Sequence, residues 1–594
     1  MPPLSRASLS PSCFKSLPPL GSLRRLLPLL FGLFLPGLAW ADVKMPAIFG
    51  DHMVLQRDIG VPLWGWADPG ETVTVTAGAD KGTAVAGPDG QWTVKLDKLA
   101  ASADPIDVTV TGKNTLTFHD VLVGDVWVCG GQSNMEFGIH SFITPDDLAK
   151  AGDPQIRLFT VPKWVAPIPE KDMAAPPTGF PCVGNWQVCT PETLVKTGEW
   201  SGFSAVGYYF GRSLRDYTHQ PVGLISSNWG GTRIHSWISL DTLATLPQKV
   251  SATKGAENFR DNYDQIKQTY ETVTLPQWNV TLAQWTKDNQ AAIDAYDTAQ
   301  KGWRQAVQDA VAQNQPPPPR PVAPKPPKAP VDPIHNNQVS CALFNGMISP
   351  LIPYGIKGAI WYQGEANALE SEVYRAELPA LIKDWRTHWN QGDFPFIVVQ
   401  LPNFMARQAD PGESAWASMR EAQATALSLP NTGLVVTVDL GEAGNIHPAD
   451  KVDVGQRLAL MAQSVAYGQQ DAVSSGPTYK SFAVEGNKVR ILFDHVGGGL
   501  AIGTAPEHYY LVEKQPVPAP AAALTGFAVA GADNKFVWAN AVIDGNSVVV
   551  NSDAVAAPVS VRYAWADNPA CNLYNKEGLP AMPFRTDSLP LNGK

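Results

Sequence analysis

Residues 61–111 alternate between apolar and polar positions. Thr72-Val73-Thr74-Val75-Thr76, Gln91-Trp92-Thr93-Val94-Lys95-Leu96 and Asp107-Val108-Thr109-Val110-Thr111 each carry an apolar side chain at every second position. A period of two buries one face of a β-strand and leaves the other to water. Asp68-Pro69-Gly70 and Gly87-Pro88-Asp89-Gly90 separate the runs with turn-forming residues. Residues 42–120 therefore predict an N-terminal β-rich region of sandwich type.

At residue 121 the alternation stops. Val121-Leu122-Val123-Gly124-Asp125-Val126-Trp127-Val128-Cys129 is almost continuously apolar, as are residues 222–227, 358–362, 396–400 and 433–438. Such runs fit strands buried on both faces, as in a parallel sheet. Helical stretches at 206–217 and 374–390 lie between them, so the pattern predicts an α/β sheet with helices on both faces. This core divides into residues 121–240 and 336–474. Residues 241–335 interrupt it with a polar, Ala-rich helical segment at 282–313 and a Pro-rich run at 316–333, read as an insertion closed by a stiff linker. A substrate-facing lid is the alternative reading of the insertion. Short strands return in residues 475–594, a C-terminal β-rich region.

The first 41 residues change the expected location. Arg24 and Arg25 precede an apolar run at 26–38, and Ala39-Trp40-Ala41 gives a small-x-small cleavage pattern. This is the form of a secretory signal peptide, and it predicts a periplasmic or secreted protein. The run is too short to span a bilayer, and no later stretch is long and apolar enough, so no membrane association is expected after cleavage. With a formal net charge of −10, the surface would repel a phosphate backbone, which argues against nucleic acid as a partner. Of the six Cys, Cys13 falls in the signal segment, and Cys182 and Cys189 flank a Gly-Asn turn where they could pair in an oxidising compartment. No Cys/His spacing resembles a zinc site.

Candidate chemistry gathers at the ends of the buried runs, where ligands bind in open α/β sheets. Gly130-Gly131-Gln132-Ser133-Asn134-Met135 places a Ser among glycines before a helix start, where backbone N–H groups can meet developing negative charge. Ser227-Asn228-Trp229-Gly230-Gly231-Thr232 offers a backbone that a ligand can approach closely. In Trp361-Tyr362-Gln363-Gly364-Glu365, the Gln363 amide can donate to an oxyanion. In Asn445-Ile446-His447-Pro448, a neutral imidazole can take and return a proton.

These four blocks, in this order, resemble the sialate O-acetylesterase group of the SGNH hydrolase superfamily. The segments Asp51-His52-Met53-Val54-Leu55-Gln56-Arg57 and Tyr563-Ala564-Trp565-Ala566-Asp567-Asn568-Pro569 resemble its flanking regions. The resemblance implies an SGNH-like, flavodoxin-like parallel sheet with accessory β-sandwich or jelly-roll-like regions, and a serine-dependent carbohydrate O-acetylesterase. Ser133 would be the nucleophile and His447 the general base. The oxyanion would be held by the N–H groups of Ser133 and of Gly230 or Gly231, and by Gln363. The implied substrate is an acetylated carbohydrate, either O-acetylated sialic acid or a hemicellulose such as xyloglucan. The chemistry calls for no metal and no organic cofactor.

The superfamily usually carries an acid two or three positions before the His; here Asn445 and Gly444 stand there. Glu365, Glu442, Asp439 and Asp450 are candidates for a more distant orienting acid. Asp332, three residues before His335, has the expected spacing but follows the Pro-rich run. The remaining option is a Ser-His dyad steadied by a backbone carbonyl or Asn445. Among 19 Trp, Trp229, Trp237 and Trp361 lie near the blocks and could stack on sugar rings, or could be core. The competing function is a catalytically inactive carbohydrate-binding protein of the same fold.

Overall fold

The computed structural model describes residues 42–180, 182–312, 318–469, 471–519 and 521–590. The expected signal peptide lies outside the described residues.

One strand, Thr115–Gly131 (β1), joins the two patterns seen in the sequence. Its first half alternates between exposed and partly buried positions and pairs antiparallel with Ser102–Thr111, within the N-terminal strands. From Val121 onward every residue is buried. This second half is the centre of a parallel sheet with Asp153–Thr160 (β2), Val222–Asn228 (β4), Gly358–Tyr362 (β5), Phe396–Val399 (β6) and Thr432–Val435 (β7). Gln187–Cys189 (β3) adds an antiparallel edge. The order is β7-β6-β5-β1-β4-β2-β3. Leaving out β2 and β3, the remaining five follow the doubly wound order 2-1-3-4-5, whose switch point lies between β1 and β5. The register there pairs Tyr362 with Gly131. This is the expected α/β class, and it brings the Gly130 and Trp361 blocks side by side.

Helices Ala205–Thr218 (α2) and Lys451–Tyr467 (α5) pack against each other on the sheet. Ser371–Trp389 (α3) buries Leu378, Leu381, Ile382 and Trp385. The C-terminal strands do not join the N-terminal ones. Among the described residues they form three antiparallel sheets, one containing Lys488–Asp494 and Ser547–Asn551, one Phe527–Ala530 and Ser560–Tyr563, and a small one pairing Leu500–Ile502 with Leu573–Asn575. Val489, Ile491, Val548, Val550, Val561 and Tyr563 give this region its own apolar core.

The insertion contains helices Val250–Asp261, Tyr263–Thr269, Leu275–Asp288 and Gln290–Ala312. Ala256 and Phe259 anchor it to the main core, and most of its other described side chains face water. The described Pro-rich residues 318–330 have no regular secondary structure. No helix of the described residues is long and apolar enough to cross a membrane. The suggested Cys182–Cys189 pairing is not formed: both are free thiols, and the strand turns Cys189 into the core with Sγ 3.7 Å from the Ala151 carbonyl.

Candidate active site

The end of β1 is shaped by what Gly131 must avoid. Its φ is +139°, and a Cβ there would lie 2.1 Å from the Tyr362 carbonyl oxygen, so only glycine fits between β1 and β5. Gln132 stays extended, and its N–H donates to the same carbonyl at 3.0 Å. The chain then turns into a single helical turn, Ser133–Glu136 (α1). Among the described residues, the Ser133 N–H has no protein acceptor.

A cavity of about 780 Å³ opens over this turn. Ser133, His447, Gly230, Gly231 and Glu365 all border it, from four separate strand-end segments. The loop carrying His447 is tied to the Ser133 turn through Asn134. The Asn134 amide donates to the Ile446 carbonyl at 3.0 Å and to Glu365 Oε1 at 2.5 Å, and its oxygen accepts from the buried Lys451 Nζ at 2.6 Å. The His447 ring lies 5.4 Å from Trp200 and 5.5 Å from Phe137. Partial burial lowers its pKa below the ordinary value of 6.5, and the Lys451 charge lowers it further. The arrangement presents a hydroxyl at a helix start and a largely neutral imidazole across one cavity, which is the equipment for acyl transfer.

The model of the family described as carbohydrate esterase, sialic acid-specific acetylesterase matches residues 342–464. The rat sialate O-acetylesterase is 29% identical over 587 residues, spanning 91% of this chain and 94% of the rat protein. The human one is 28% identical, spanning 94% and 96%. The crystal structure of a carbohydrate acetylesterase from Xanthomonas citri is 34% identical, superposes with a TM-score of 0.69, and is spanned completely by 92% of this chain. The chain belongs to the sialate O-acetylesterase family. It is thus a carbohydrate esterase, and the cavity geometry can be read in those terms.

Two of the expected oxyanion donors of this esterase are engaged elsewhere. Gln363 is fully buried and does not border the cavity. Its amide nitrogen donates to Gln132 Oε1 at 3.2 Å, the Thr232 carbonyl at 3.1 Å and Asn367 Oδ1 at 2.8 Å. The Gly230 N–H donates to Glu136 Oε2 at 2.5 Å. One side chain at the cavity was not singled out in the sequence. Gln132 borders the cavity, and its Oε1 accepts from both Gln363 and the Ala366 N–H at 3.2 Å. With the oxygen so held, the Gln132 amide nitrogen is the end left for the cavity; among the described residues it has no protein acceptor. Its place inside the Gly-Gln-Ser-Asn block was the available signal. Glu136, Lys163 and Trp200 also border the cavity, and the latter two lie in loops without a motif.

The candidate acids separate cleanly. Asp439 is paired with Arg457 through two 2.7 Å contacts and accepts from the Tyr574 hydroxyl. Asp450 caps α5 through the Asp453 N–H. Asp332 holds His335 Nδ1 at 2.8 Å, at the end of the Pro-rich run. Glu365 holds Asn134, and burial raises its pKa. Glu442 accepts from the Ala449 N–H and the Asn445 amide, bracing the His447 loop. Among the described residues none of these carboxylates hydrogen-bonds the His447 ring. Asn445 instead clasps the His447 backbone, accepting its N–H at 3.0 Å and donating to its carbonyl at 2.7 Å.

Of the three Trp, only Trp229 borders the cavity, with Lys163 Nζ 5.6 Å from its ring centre. Trp237 and Trp361 are buried side by side in edge contact, and Trp385 packs on Trp361. They are core, because β5 and the buried turn after Gly231 face the helix layer there, not the cavity.

Proposed function

We propose that this esterase removes acetyl groups from a glycan with Ser133 as nucleophile and His447 as general base. The reading is carried by one observation: Ser133 and His447 border the same cavity at the switch point of the sheet. Ser133 Oγ attacks the acetyl carbonyl carbon while its proton passes to His447. The oxyanion is met by the N–H groups of Ser133 and Gly231 and by the Gln132 amide. The bond to the sugar oxygen breaks, and that oxygen takes the proton from His447. Water then repeats the sequence on the acyl-serine, releasing acetate and restoring Ser133. Asn445 fixes the backbone of the His447 loop, so the site works as a Ser-His dyad.

The charge around the cavity favours a neutral glycan such as acetylated hemicellulose over O-acetylated sialic acid. Lys163 is the fixed cation bordering the cavity among the described residues, and it is already paired with Glu136 at 2.6 Å and Glu199 at 3.5 Å. A sialate carboxylate would find no unpaired fixed cation among the described residues that border the cavity. Residues 1–41 are read as a cleaved export signal.

Acetate release by wild type and Ser133→Ala tests the reading on acetylated xyloglucan and xylan fragments, O-acetylated sialic acid and p-nitrophenyl acetate. Release from a neutral glycan, lost in Ser133→Ala while the fold is retained, is the expected result. Glycan binding without release in the wild type would instead establish the inactive binding protein. Preferential release from sialate would overturn the substrate assignment and leave the mechanism standing.

A further inference from the structure

Three residues after His447, α5 begins with two carboxylates that lack adequate partners. Asp450 is the N-cap, and its Oδ1 accepts the Asp453 N–H at 3.0 Å. Its Oδ2 is buried without a hydrogen-bond partner. Asp453, 8% exposed, has an Oδ2 in the same condition. His508, from the short helix Glu507–Val512, closes the group. Its Nδ1 lies 3.2 Å from Asp450 Oδ1 and 3.8 Å from Asp453 Oδ2. The unpartnered Asp453 oxygen therefore faces the other two side chains.

Two adjacent buried carboxylates repel each other and lose their hydration, so a cation should accompany them. The neighbouring Arg and Lys side chains are committed elsewhere, which leaves only the partly exposed His508 beside the two carboxylates. Arg457 is forked onto Asp439 and also donates to the Val436 carbonyl. Lys451 points to Asn134. One ligand atom from each of Asp450, Asp453 and His508 lies within 4.8 Å of the others. Two ligands each about 2.0–2.2 Å from one zinc-type ion can be no more than about 4.4 Å apart, and the two His508 separations, 3.2 and 3.8 Å, fall inside that limit.

We propose that Asp450, Asp453 and His508 bind a divalent transition-metal ion, zinc or manganese, that pins the Glu507–Val512 segment to the start of α5. Two carboxylate oxygens and an imidazole nitrogen suit such ions, and water would complete the coordination. His508 would turn its Nδ1 lone pair to the metal and give up its contact with Asp450. The ion would be structural, steadying the helix that follows the His447 loop, and it takes no part in the ester chemistry.

The test uses the whole mature chain without a polyhistidine tag. Protein stripped with a chelator is titrated calorimetrically with Zn²⁺ and with Mn²⁺, and its melting temperature is followed with each ion. Wild type is expected to bind one equivalent and to melt higher with metal. Asp453→Asn and His508→Gln should each weaken binding about tenfold or more and lose the melting shift. His508 is partly exposed, so its variant decides the question if Asp453→Asn fails to fold. The proposal is overturned if the wild type shows no saturable binding of either ion up to about 1 mM, or if the variants that fold bind as the wild type does. The first result would leave a proton shared between the two carboxylates. Neither readout depends on esterase activity.

Discussion

His447 stands between Trp200 and Phe137 with Lys451 behind it. Both the partial burial and the positive charge disfavour the imidazolium, so the neutral base persists to lower pH than free imidazole would. Lowering the pKa of a base that must be neutral moves the acid limb of kcat/KM downward. That limb is expected to have its midpoint below pH 6.5, and a midpoint at or above 6.5 would show that the ring is not held as described. A second residue-scale prediction concerns Gln132. On the proposed mechanism, replacing it with Ala removes an oxyanion donor and should lower kcat about 100-fold with little change in KM. Gln363→Ala should reproduce much of that loss, because Gln363 holds the Gln132 oxygen. Unchanged kcat in Gln132→Ala would remove it from the oxyanion site. That Ser133 and His447 border one cavity was legible in the sequence, because each stands in a short motif that follows a buried run. That Gln132 and not Gln363 borders the cavity was not legible. Which amide faces the cavity depends on acceptors contributed by Thr232 and Asn367, and spacing along the chain does not report those contacts. The same holds for the Gly230 N–H, which is lost to a carboxylate six residues past Gly130.

At the scale of elements, the site depends on how tightly β1 and β5 meet. Gly131→Ala forces a Cβ against the Tyr362 carbonyl and requires a backbone conformation that only glycine adopts readily. The conformational strain alone is worth about 1–3 kcal/mol, and the clash adds to it by pushing the strands apart directly beneath Ser133. A lower urea midpoint and a loss of acetate release are expected together. Gly444→Ala is the control, since no atom lies within 4 Å of the Cβ it would add, and its urea midpoint should match the wild type. The continuous apolar run of the sequence anticipated the fully buried half of β1, whereas its half-exposed start, residues 115–120, was read only as part of the N-terminal β-rich region. The pattern did not reveal that one strand carries both, because strand continuity across residue 121 is decided by a change of pairing partners. Trp237 and Trp361 show the same limit. A Trp beside a motif is equally compatible with a sugar platform and with core, and only the packing of Trp385 on Trp361 distinguishes them.

At the scale of the whole molecule, the C-terminal region has its own core, yet it is bolted to the catalytic sheet through Arg420. This side chain is fully buried in helix Ala415–Ala424 (α4). Its guanidinium donates to the carbonyls of Leu401 at 2.8 Å and Pro402 at 2.9 Å on the catalytic side. On the C-terminal side it reaches the carbonyls of Ala566 at 2.8 Å and Asp567 at 3.0 Å. Burial pulls its pKa down to about 10, so it remains charged at neutral pH. No hydrophobic pattern could announce this junction, because the acceptors are backbone groups from segments some 165 residues apart in sequence. Arg420→Met keeps the bulk but leaves the buried Leu401 and Ala566 carbonyls without donors, while the Pro402 and Asp567 carbonyls keep the Trp416 indole and the Phe404 N–H. Each orphaned acceptor costs about 1–3 kcal/mol, partly offset because a charge no longer has to be buried. A net loss of about 1–4 kcal/mol is expected, seen as a lower urea midpoint with early proteolysis of the C-terminal region. Arg420→Lys should recover only part of it, since one ammonium cannot reproduce a planar fork that reaches acceptors on both sides. If Arg420→Met unfolds at the wild-type midpoint, the two regions are held by their other contacts, among them the Arg562–Glu413 and Arg585–Glu421 ion pairs, and the guanidinium is incidental to their docking.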